Sequence, residues 1–339
     1  MRFLLTGHNG FKGSWLVVML KSLGHEVYGI SLAPQKEGLY NLAQINNLID
    51  GELICDILNY DSFQKYFTKI KPDIAIHFAA QSLVLESYKD PVSTYKTNIF
   101  GTLNFLRAVT EFGQTKANLI VTSDKVYKNK ETGKPHSELD ELGGIDPYSA
   151  SKAMADILSQ SWISTNEISP TSIARSGNVI GGGDWANNRL IPDIVRSIIL
   201  KKDLVIRYPK AIRPWQHVLD CLNGYLILIE KMLDGEAEVL WNFGPPMESF
   251  IDVGQVINKF LASYGTNCHV VKEEKENSIE SISLKLDSTK SRTVLGWNDK
   301  LDINLSIGLT AEWYKDFYNN KYPLDLNLNQ VELFLNRSF

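Results

Sequence analysis

Three glycines at three-residue spacing, Gly7, Gly10 and Gly13, stand near the start of the chain and constrain its fold more than any other feature. A short apolar run at residues 2–6 precedes them, and apolar residues at helical intervals follow over residues 14–23. The first glycine can take positive φ in a tight turn, the second lets backbone approach a pyrophosphate, and the third lets a helix pack closely on a strand. This order of strand, glycine turn and helix predicts a dinucleotide-binding βαβ unit.

Strand-like and helix-like segments continue to alternate along the first part of the chain. Short apolar runs typical of buried strands occur at residues 25–32, 52–55, 73–78 and 118–121, and helical patterns occur at 60–70 and 98–112. Repeated alternation of this kind is typical of an α/β fold whose parallel sheet is covered by helices on both faces. We therefore predict a doubly wound parallel (Rossmann) sheet.

The pattern changes after Asn178. A glycine run at residues 181–183 and several prolines interrupt it, a loop is predicted at 242–246, and a helical pattern returns at 251–264. These changes indicate a second, smaller lobe that is interleaved with the first domain.

The predicted boundaries follow from these changes. We expect a dinucleotide-binding Rossmann domain over residues 1–178, with a return near 218–242. A smaller C-terminal substrate lobe is expected over residues 179–217 and 243–320. No role is assigned to residues 321–339.

Charge and cysteine content narrow the class of function. The 339 residues include 35 Lys and Arg against 39 Asp and Glu, a net charge of −4, which argues against nucleic acid as the main ligand. The three cysteines are scattered without metal-ligand spacing, so we expect reduced thiols, no metal site and a cytoplasmic location. The opening apolar run is too short for a signal peptide, and no run approaches the ~18 apolar residues of a membrane span.

Further cofactor-binding residues are expected around the predicted crevice. Asn9 and Phe11 lie within the glycine loop, and Ala79 and Ala80 follow the fourth predicted strand, where small side chains let a dinucleotide lie close to the sheet. Asp56 follows the third strand, where it can accept a hydrogen bond from an adenine amine or act as an ordinary turn residue.

Two other positions carry less information about the cofactor. The second strand ends in Ser31 and Leu32, neither of which is the acidic or basic residue that distinguishes NAD from NADP, so that choice stays open. His77 at the end of the fourth strand is interpreted as a core histidine.

Tyr148 and Lys152 form a candidate catalytic pair. They stand at i and i+4 after Asp146 and Pro147, a typical helix start, so they share one face of the predicted helix. A nearby ammonium lowers the pKa of a phenol, and a phenolate can take the proton of a sugar hydroxyl during hydride transfer. The alternative is a surface pair, but the upstream nucleotide-binding unit favours catalysis.

Ser123, Asp124 and Lys125 follow the strand at residues 118–121 directly. Polar residues at the carboxyl end of a parallel strand lie at the ligand crevice. Ser123 can donate a hydrogen bond to the hydroxyl that is oxidised. Asp124 and Lys125 supply an acid and a base beyond what hydride transfer needs, and their alternative reading is a solvated turn.

Together these motifs resemble the extended short-chain dehydrogenase/reductases that act on nucleotide sugars. Within that family, several segments are similar to those of dehydratases that act on CDP-glucose, namely residues 7–15, 122–125, 143–149, 175–185, 213–218, 284–287 and 295–297. The resemblance runs from residue 1 to about residue 318. The pair Asp124 and Lys125 is its most specific element, because the dehydratases of dTDP-glucose carry Asp-Glu there and epimerases usually lack the acidic pair.

The resemblance implies a lyase that converts CDP-glucose to CDP-4-keto-6-deoxyglucose and water, with NAD regenerated in each turnover. Tyr148 then takes the 4-hydroxyl proton, Asp124 protonates the departing 6-hydroxyl, and Lys125 removes the C5 proton or stabilises the enolate. Another NAD-dependent 4,6-dehydratase or a 4-epimerase is the alternative. A dinucleotide-sensing regulator is a third interpretation, against which the presence of Ser123, Tyr148 and Lys152 argues.

The same resemblance implies a substrate site. A guanidinium fork suits two phosphate oxygens, so Arg213 is expected at the diphosphate. Asn178 lies where similar enzymes hold a diphosphate or sugar oxygen, although an ordinary loop asparagine is the alternative. Trp185 and Arg189 are expected in the nucleotide pocket.

The resemblance also implies a partner and a pathway class. The predicted helices at residues 98–112 and 148–162 resemble those that form a four-helix dimer interface, so a homodimer or homotetramer is expected. The implied product belongs to deoxysugar biosynthesis, such as that of lipopolysaccharide O-antigen.

Overall fold

The computed structural model describes residues 1–236, 238–272 and 283–337, in which strands and helices alternate. The strands are β1 (Arg2–Thr6), β2 (Glu26–Ser31), β3 (Gly51–Ile54), β4 (Ile74–His77), β5 (Ala117–Val121), β6 (Thr171–Ser176), β7 (Val179–Ile180), β8 (Leu204–Ile206), β9 (Ile212–Arg213), β10 (Gln216–His217), β11 (Leu240–Phe243), β12 (Ile251–Asp252) and β13 (Val270–Lys272). The α-helices are α1 (Phe11–Ser22), α2 (Leu39–Leu42), α3 (Tyr60–Ile70), α4 (Val84–Lys89), α5 (Pro91–Tyr95), α6 (Gly101–Phe112), α7 (Pro147–Thr165), α8 (Leu190–Leu200), α9 (Val218–Leu233), α10 (Val253–Tyr264), α11 (Thr289–Leu295), α12 (Ile303–Tyr318) and α13 (Pro323–Leu335).

Seven strands form one parallel sheet in the order β11-β6-β5-β4-β1-β2-β3. The strand order reverses between β1 and β4, which is where a doubly wound sheet opens a crevice at its carboxyl edge. Thr6 at the end of β1 is level with Ile30 on one side and His77 on the other, so the three strands end at one edge. The predicted doubly wound parallel sheet is confirmed.

The two faces of the sheet are buried by different helices. On one face, the α3 and α6 side chains Phe63, Phe67 and Phe105 pack into a single apolar cluster. On the other face, α1 contacts both α9 and α13 and is buried along most of its length. Strands covered on both faces are mostly apolar, which explains why β1, β4 and β5 are short continuous apolar runs rather than alternating ones.

Most of the C-terminal segment, residues 321–339, to which the sequence assigned no role, forms helix α13. Its side chains Val331 and Phe334 are buried in the core that covers α1. Asn327 accepts a hydrogen bond from the indole nitrogen of Trp313 on α12 at 2.9 Å. The described part of this segment therefore completes the helical layer on one face of the sheet.

The chain returns to the large sheet after the second glycine-rich region. Helix α9 packs on the sheet, and β11 pairs with β6, so Asn242 and Phe243 belong to a strand where the sequence predicts a loop. These two residues form strand rather than loop because they pair with Arg175 and Ser176 of β6. The predicted helix at 98–112 likewise begins as a π-helical turn, Lys96–Phe100, before α6.

The remaining elements form a smaller region above the carboxyl edge. It holds three two-stranded sheets, β10–β7, β12–β9 and β13–β8, together with α8 and α10. Residues 273–282 of the predicted substrate lobe lie outside the described residues. Across the described ranges, no helix is both long enough and apolar enough to cross a membrane, and no group of His, Cys, Asp and Glu is arranged to hold a metal ion.

Candidate active site

A cavity of about 720 Å³ opens at the carboxyl edge of the sheet, between the large sheet and the smaller region. All the residues predicted from the sequence to act in catalysis or to bind cofactor or substrate line this cavity: Gly7, Asn9, Gly10, Phe11, Gly13, Asp56, Ala79, Ala80, Ser123, Asp124, Lys125, Tyr148, Lys152, Asn178, Trp185, Arg189 and Arg213. The fold thus brings together positions that are up to about two hundred residues apart in the chain.

The glycine loop forms a cradle that side chains would fill. Gly7 has φ +74°, and a Cβ there would lie 2.8 Å from the backbone nitrogen of Ala79. A Cβ on Gly13 would lie 2.3 Å from the carbonyl oxygen of Gly7. Gly10 caps the start of α1, whose first amides have no partner within the helix and suit a phosphate. Asn9 ties the loop to β2 by donating to the carbonyl of Leu32 at 2.7 Å.

His8 of the glycine loop is buried and hydrogen-bonds residues of two neighbouring strands. The His8 ring hydrogen-bonds the carboxylate of Glu52 at 2.8 Å and the hydroxyl of Ser31 at 3.0 Å. Tyr40 donates to the same carboxylate at 2.9 Å. The ring lies directly over Gly29, where a Cβ would come within 2.3 Å of it. The members of this network come from four different segments, so the sequence alone does not predict it.

Asp56 lies in a turn at the cavity, and His77 lies in the core. Asp56 accepts a hydrogen bond from the Leu58 amide at 2.9 Å, as a turn residue does, although it also lines the cavity. His77 is buried between the hydroxyls of Thr6 and Thr102 at 2.8 Å and 3.1 Å. Burial lowers the pKa of His77 to about 3, so it is a neutral core histidine.

Asp124 carries a buried carboxyl oxygen that no described residue satisfies. Its Oδ1 accepts a hydrogen bond from the Ser123 hydroxyl at 3.0 Å, whereas Oδ2 is buried without a partner among the described residues. Burial raises the pKa of Asp124, and the charges of Lys125, Arg213 and Lys12 oppose that rise. A cavity-lining carboxyl with a raised pKa is suited to hold and deliver a proton.

Tyr148 and Lys152 lie on α7, which begins as predicted with Asp146 as its cap and Pro147 in its first turn. Burial raises the pKa of Tyr148, while a hydrogen bond with Ser123 and the charge of Arg189 lower it.

The structure corrects the expectation that Lys152 leaves Tyr148 with a lowered pKa, because burial outweighs the charges around the phenol. The Lys152 ammonium instead donates to the carbonyl of Val121 at 3.0 Å. Burial lowers the pKa of Lys152 to about 8, and the carboxylate of Asp156 opposes that shift. The pair therefore shares one face as predicted, but its protonation is set by burial.

A buried ion pair lies behind these residues. Arg175 of β6 donates to both carboxylate oxygens of Asp156 on α7, at 2.6 Å and 2.8 Å. Thr122, next to Ser123, donates to the same carboxylate at 2.9 Å. The sequence analysis assigned no role to Thr122 or Asp156. The available signal was an acidic residue one helical turn after Lys152 on an otherwise buried face.

Basic side chains line the rest of the cavity. Arg213 is buried and donates to the carbonyl of Ile212 at 2.9 Å. Arg189 donates to Asp184 at 3.0 Å, and Lys12 of the glycine loop donates to the Ser176 hydroxyl at 2.7 Å. Lys12 was also missed, although a charged residue within a glycine loop was visible in the sequence.

Asn178 and Trp185, the two remaining predicted site residues, make different contacts at the cavity. Asn178 is half-buried at the cavity, and its backbone carbonyl accepts a hydrogen bond from the backbone N–H of Gln216 at 3.0 Å. Trp185 packs its ring edge-on against Tyr314 and close to Phe317, so much of its surface serves packing within an aromatic cluster. Its indole nitrogen is buried and has no partner in the described ranges.

Comparisons with known proteins agree with this geometry. Residues 3–244 match the model of the NAD dependent epimerase/dehydratase family. The CDP-glucose 4,6-dehydratase of Salmonella typhimurium is 37% identical over 326 residues, which cover 93% of this chain and 90% of that relative. The dTDP-glucose 4,6-dehydratase of Haemophilus influenzae is 26% identical over 93% of this chain and 98% of that relative.

Solved structures show the same fold. A dTDP-glucose 4,6-dehydratase from Streptomyces venezuelae superposes with a TM-score of 0.83 at 24% identity, covering 96% of this chain and all of that one. The UDP-glucose 4-epimerase of Thermotoga maritima superposes with a TM-score of 0.82 at 22% identity, covering 94% and 100%. From the family match and the relative at 37% identity, the chain belongs to the NAD dependent epimerase/dehydratase family.

Proposed function

We propose that the chain is an NAD-dependent CDP-glucose 4,6-dehydratase, a lyase that forms CDP-4-keto-6-deoxyglucose and water. The observation that carries the proposal is the unsatisfied, buried carboxyl oxygen of Asp124 beside Ser123 and Tyr148. Oxidation at C4 needs only the serine, the tyrosine and a lysine, so an acid beside them serves a further step. The relative at 37% identity bears the name of an enzyme with that extra step.

The cradle fits a dinucleotide, and the family match favours NAD as that dinucleotide. Gly7 and Gly13 leave room for backbone to approach a pyrophosphate, and the start of α1 faces it. The Streptomyces venezuelae dehydratase, which has the same fold, was solved with NAD bound, and this supports NAD as the cofactor here. Bound NAD supplies the hydride acceptor and returns the hydride within one turnover.

Tyr148 and Ser123 act on the 4-hydroxyl. Ser123 holds that hydroxyl by a hydrogen bond, and Tyr148 takes its proton as C4 is oxidised. The charge of Arg189 favours the phenolate. A Lys152 pKa of about 8 keeps most of that lysine protonated at pH 7. The new ketone makes the proton on C5 acidic.

Asp124 and Lys125 act on C5 and C6. Asp124 donates its proton to the departing 6-hydroxyl, which leaves as water. Lys125 is half-buried beside Asp124 at the cavity and acts at C5. As a neutral amine it removes the C5 proton, and as an ammonium it stabilises the enolate. Hydride then returns to C6, and a proton returns to C5.

The substrate's diphosphate lies between the arginines. Arg213 and Arg189 are close enough to the catalytic groups for their charges to lower the pKa of Asp124 and Tyr148 respectively. Two guanidinium groups in the cavity that holds the catalytic residues suit a diphosphate next to the sugar. Asn178 provides an amide at the same wall of the cavity, and the indole nitrogen of Trp185 is a further donor.

The enzyme forms a homodimer through α7 and the turn before α6. Phe100, Met154 and Ile157 expose about half of their surface on neighbouring elements, and Val92 of α5 extends the patch. Apolar patches of this kind mark protein interfaces. Sedimentation analysis of the protein and of a Met154→Glu/Ile157→Glu variant tests this, because a monomeric wild-type protein contradicts it.

We place the reaction in the cytoplasm and in deoxysugar biosynthesis, such as that of lipopolysaccharide O-antigen. Cys55, Cys221 and Cys268 are free thiols, which suits a reducing compartment. A 4-keto-6-deoxy sugar nucleotide is an intermediate that later reductases or transaminases can modify at C4.

One assay tests the proposed activity. Purified protein is incubated with NAD and CDP-glucose, UDP-glucose or dTDP-glucose, and the alkali-induced absorbance of a 4-keto sugar is recorded. CDP-glucose is expected to yield the absorbance much faster than the other two sugars. Conversion to the C4 epimer without a keto sugar identifies a 4-epimerase instead, and equal rates with all three sugars refute the CDP-glucose assignment.

A further inference from the structure

Arg207 lies at the end of β8, where the active-site cavity meets a second cavity of about 500 Å³. Leu204 and Ile206 of this strand are buried, whereas Val205 is more than half exposed. Side chains alternate along a strand, so Val205 and Arg207 share the open face. Both residues line both cavities.

The guanidinium group of Arg207 has no protein partner among the described residues. Within residues 1–236, 238–272 and 283–337, it makes no hydrogen bond or ion pair, although the residue is half-buried. Neighbouring cations are engaged: Arg189 pairs with Asp184, and Arg196 pairs with Asp193 at 2.5 Å. A half-buried arginine at a cavity wall without a protein partner has donors available to a ligand.

The proposed function requires a place in the cavity for the substrate's nucleoside. The sugar must contact Tyr148 and Asp124, and the charges that lower the pKa of those groups include Arg189 and Arg213 but not Arg207. The diphosphate joins the sugar to the nucleoside, so the base lies beyond the arginines that approach the sugar. Arg207 lines this same cavity, directly after β8 of the smaller region.

We infer that Arg207 recognises the cytosine base by donating to its O2 and N3 atoms, and so selects CDP-sugars over UDP- and dTDP-sugars. This inference rests on the proposed function. Cytosine presents two adjacent acceptors that match the two parallel N–H groups of a guanidinium. Uracil and thymine carry N–H at position 3, which would face a donor of Arg207. A site that leaves polar groups unpaired discriminates strongly against the wrong ligand.

Binding of CDP and UDP, measured by calorimetry on NAD-loaded protein, tests the inference without requiring turnover. Arg207→Gln and Arg207→Lys are compared with the wild type. Lys202→Gln serves as the control, because Lys202 is an exposed cation that lines only the second cavity, so its loss changes the local charge equally.

We expect the wild type to bind CDP more tightly than UDP. Arg207→Gln should weaken CDP binding roughly 10- to 100-fold, as the loss of a charged hydrogen bond does, and should change UDP binding much less. Arg207→Lys should restore little of the preference, because an ammonium keeps the charge but lacks the planar fork. Lys202→Gln should keep the wild-type ratio.

Equal weakening of CDP and UDP binding by Arg207→Gln assigns the residue to the diphosphate and overturns the inference. Wild-type preference in both Arg207 variants overturns it as well. Wild-type protein that binds neither nucleotide contradicts the proposed function itself, so the two failures are distinguishable. Unchanged NAD binding and thermal midpoint in the variants show that the fold is intact.

Discussion

Asp156 on α7 and Arg175 on β6 form a bidentate ion pair whose two side chains are completely buried. The same carboxylate accepts a hydrogen bond from Thr122, and Lys152 of α7 donates to the carbonyl of Val121. These contacts attach the helix that carries the candidate base to the strand end that carries the candidate acid. The distance between Tyr148 and Ser123 therefore depends on residues that do not contact the sugar.

Thr122→Val tests this positioning role, because it removes one hydroxyl while leaving the ion pair intact. We expect kcat to fall about tenfold with little change in KM, since small displacements of catalytic groups are costly. Steady-state kinetics with CDP-glucose measure the effect.

The matched control is Thr171→Val. Thr171 is a buried threonine at the opposite end of the same strand pair, where its hydroxyl accepts a hydrogen bond from Asn118 at 3.2 Å. Both variants should lose similar thermal stability, but the control should keep wild-type kcat. A control that slows turnover as much as Thr122→Val contradicts the positioning role.

Tyr148→Phe should nearly abolish turnover while the fold and NAD binding persist. Only a hydroxyl is removed, and general-base contributions are about 10²- to 10⁴-fold. Tyr322→Phe, on the exposed linker before α13, is the control and should retain full activity. The assignment fails if Tyr148→Phe keeps more than about a tenth of wild-type kcat.

Asp124→Asn should slow elimination far more than oxidation at C4. The amide keeps the shape of the side chain but cannot deliver the proton that the 6-hydroxyl needs. Stopped-flow absorbance should therefore show NADH accumulating on the variant after CDP-glucose is added.

An analogue of CDP-glucose with fluorine at C6 provides the complementary measurement. Fluoride departs without full protonation, so Asp124→Asn should lose much less activity on the analogue than on CDP-glucose. Equal losses on both substrates, without NADH accumulation, would show that Asp124 is not the acid for the 6-hydroxyl.

The buried neutral histidine His77 should make stability depend on pH. Burial lowers its pKa from 6.5 to about 3, so the unfolded chain binds a proton more readily between those values. Its neutral form stabilises the fold above about pH 6.5, and that contribution is lost progressively as pH falls toward 3. Urea unfolding at pH 7 and pH 5 should show the decrease.

His77→Asn should be less stable at pH 7 yet lose less stability between pH 7 and pH 5. His269, an exposed histidine beside Asp203, provides the control, and His269→Asn should keep the wild-type pH dependence. An unchanged pH dependence in His77→Asn would assign the effect to other groups, of which His217, buried with a pKa of about 3, is the first candidate.

Local patterns in the sequence determined the fold class and much of the candidate site. The spacing of Gly7, Gly10 and Gly13 predicts a turn and a helix start because glycine tolerates the positive φ and the close backbone contacts of such a turn. The spacing of Tyr148 and Lys152 predicts a shared helix face because helical periodicity is constant. Strand ends in a parallel sheet meet at one edge, which places Ser123 and Asp124 at the cavity.

Tertiary structure alone decided the contacts and the protonation of those groups. Lys12 reaches Ser176, and Asp156 meets Arg175, because the topology brings distant segments together, and no local periodicity encodes such pairs. Burial then raises the pKa of Tyr148 and lowers that of Lys152, since desolvation depends on every element packed around a group. The sequence identified the chemical groups, but only the packed fold decided how burial shifts their pKa values.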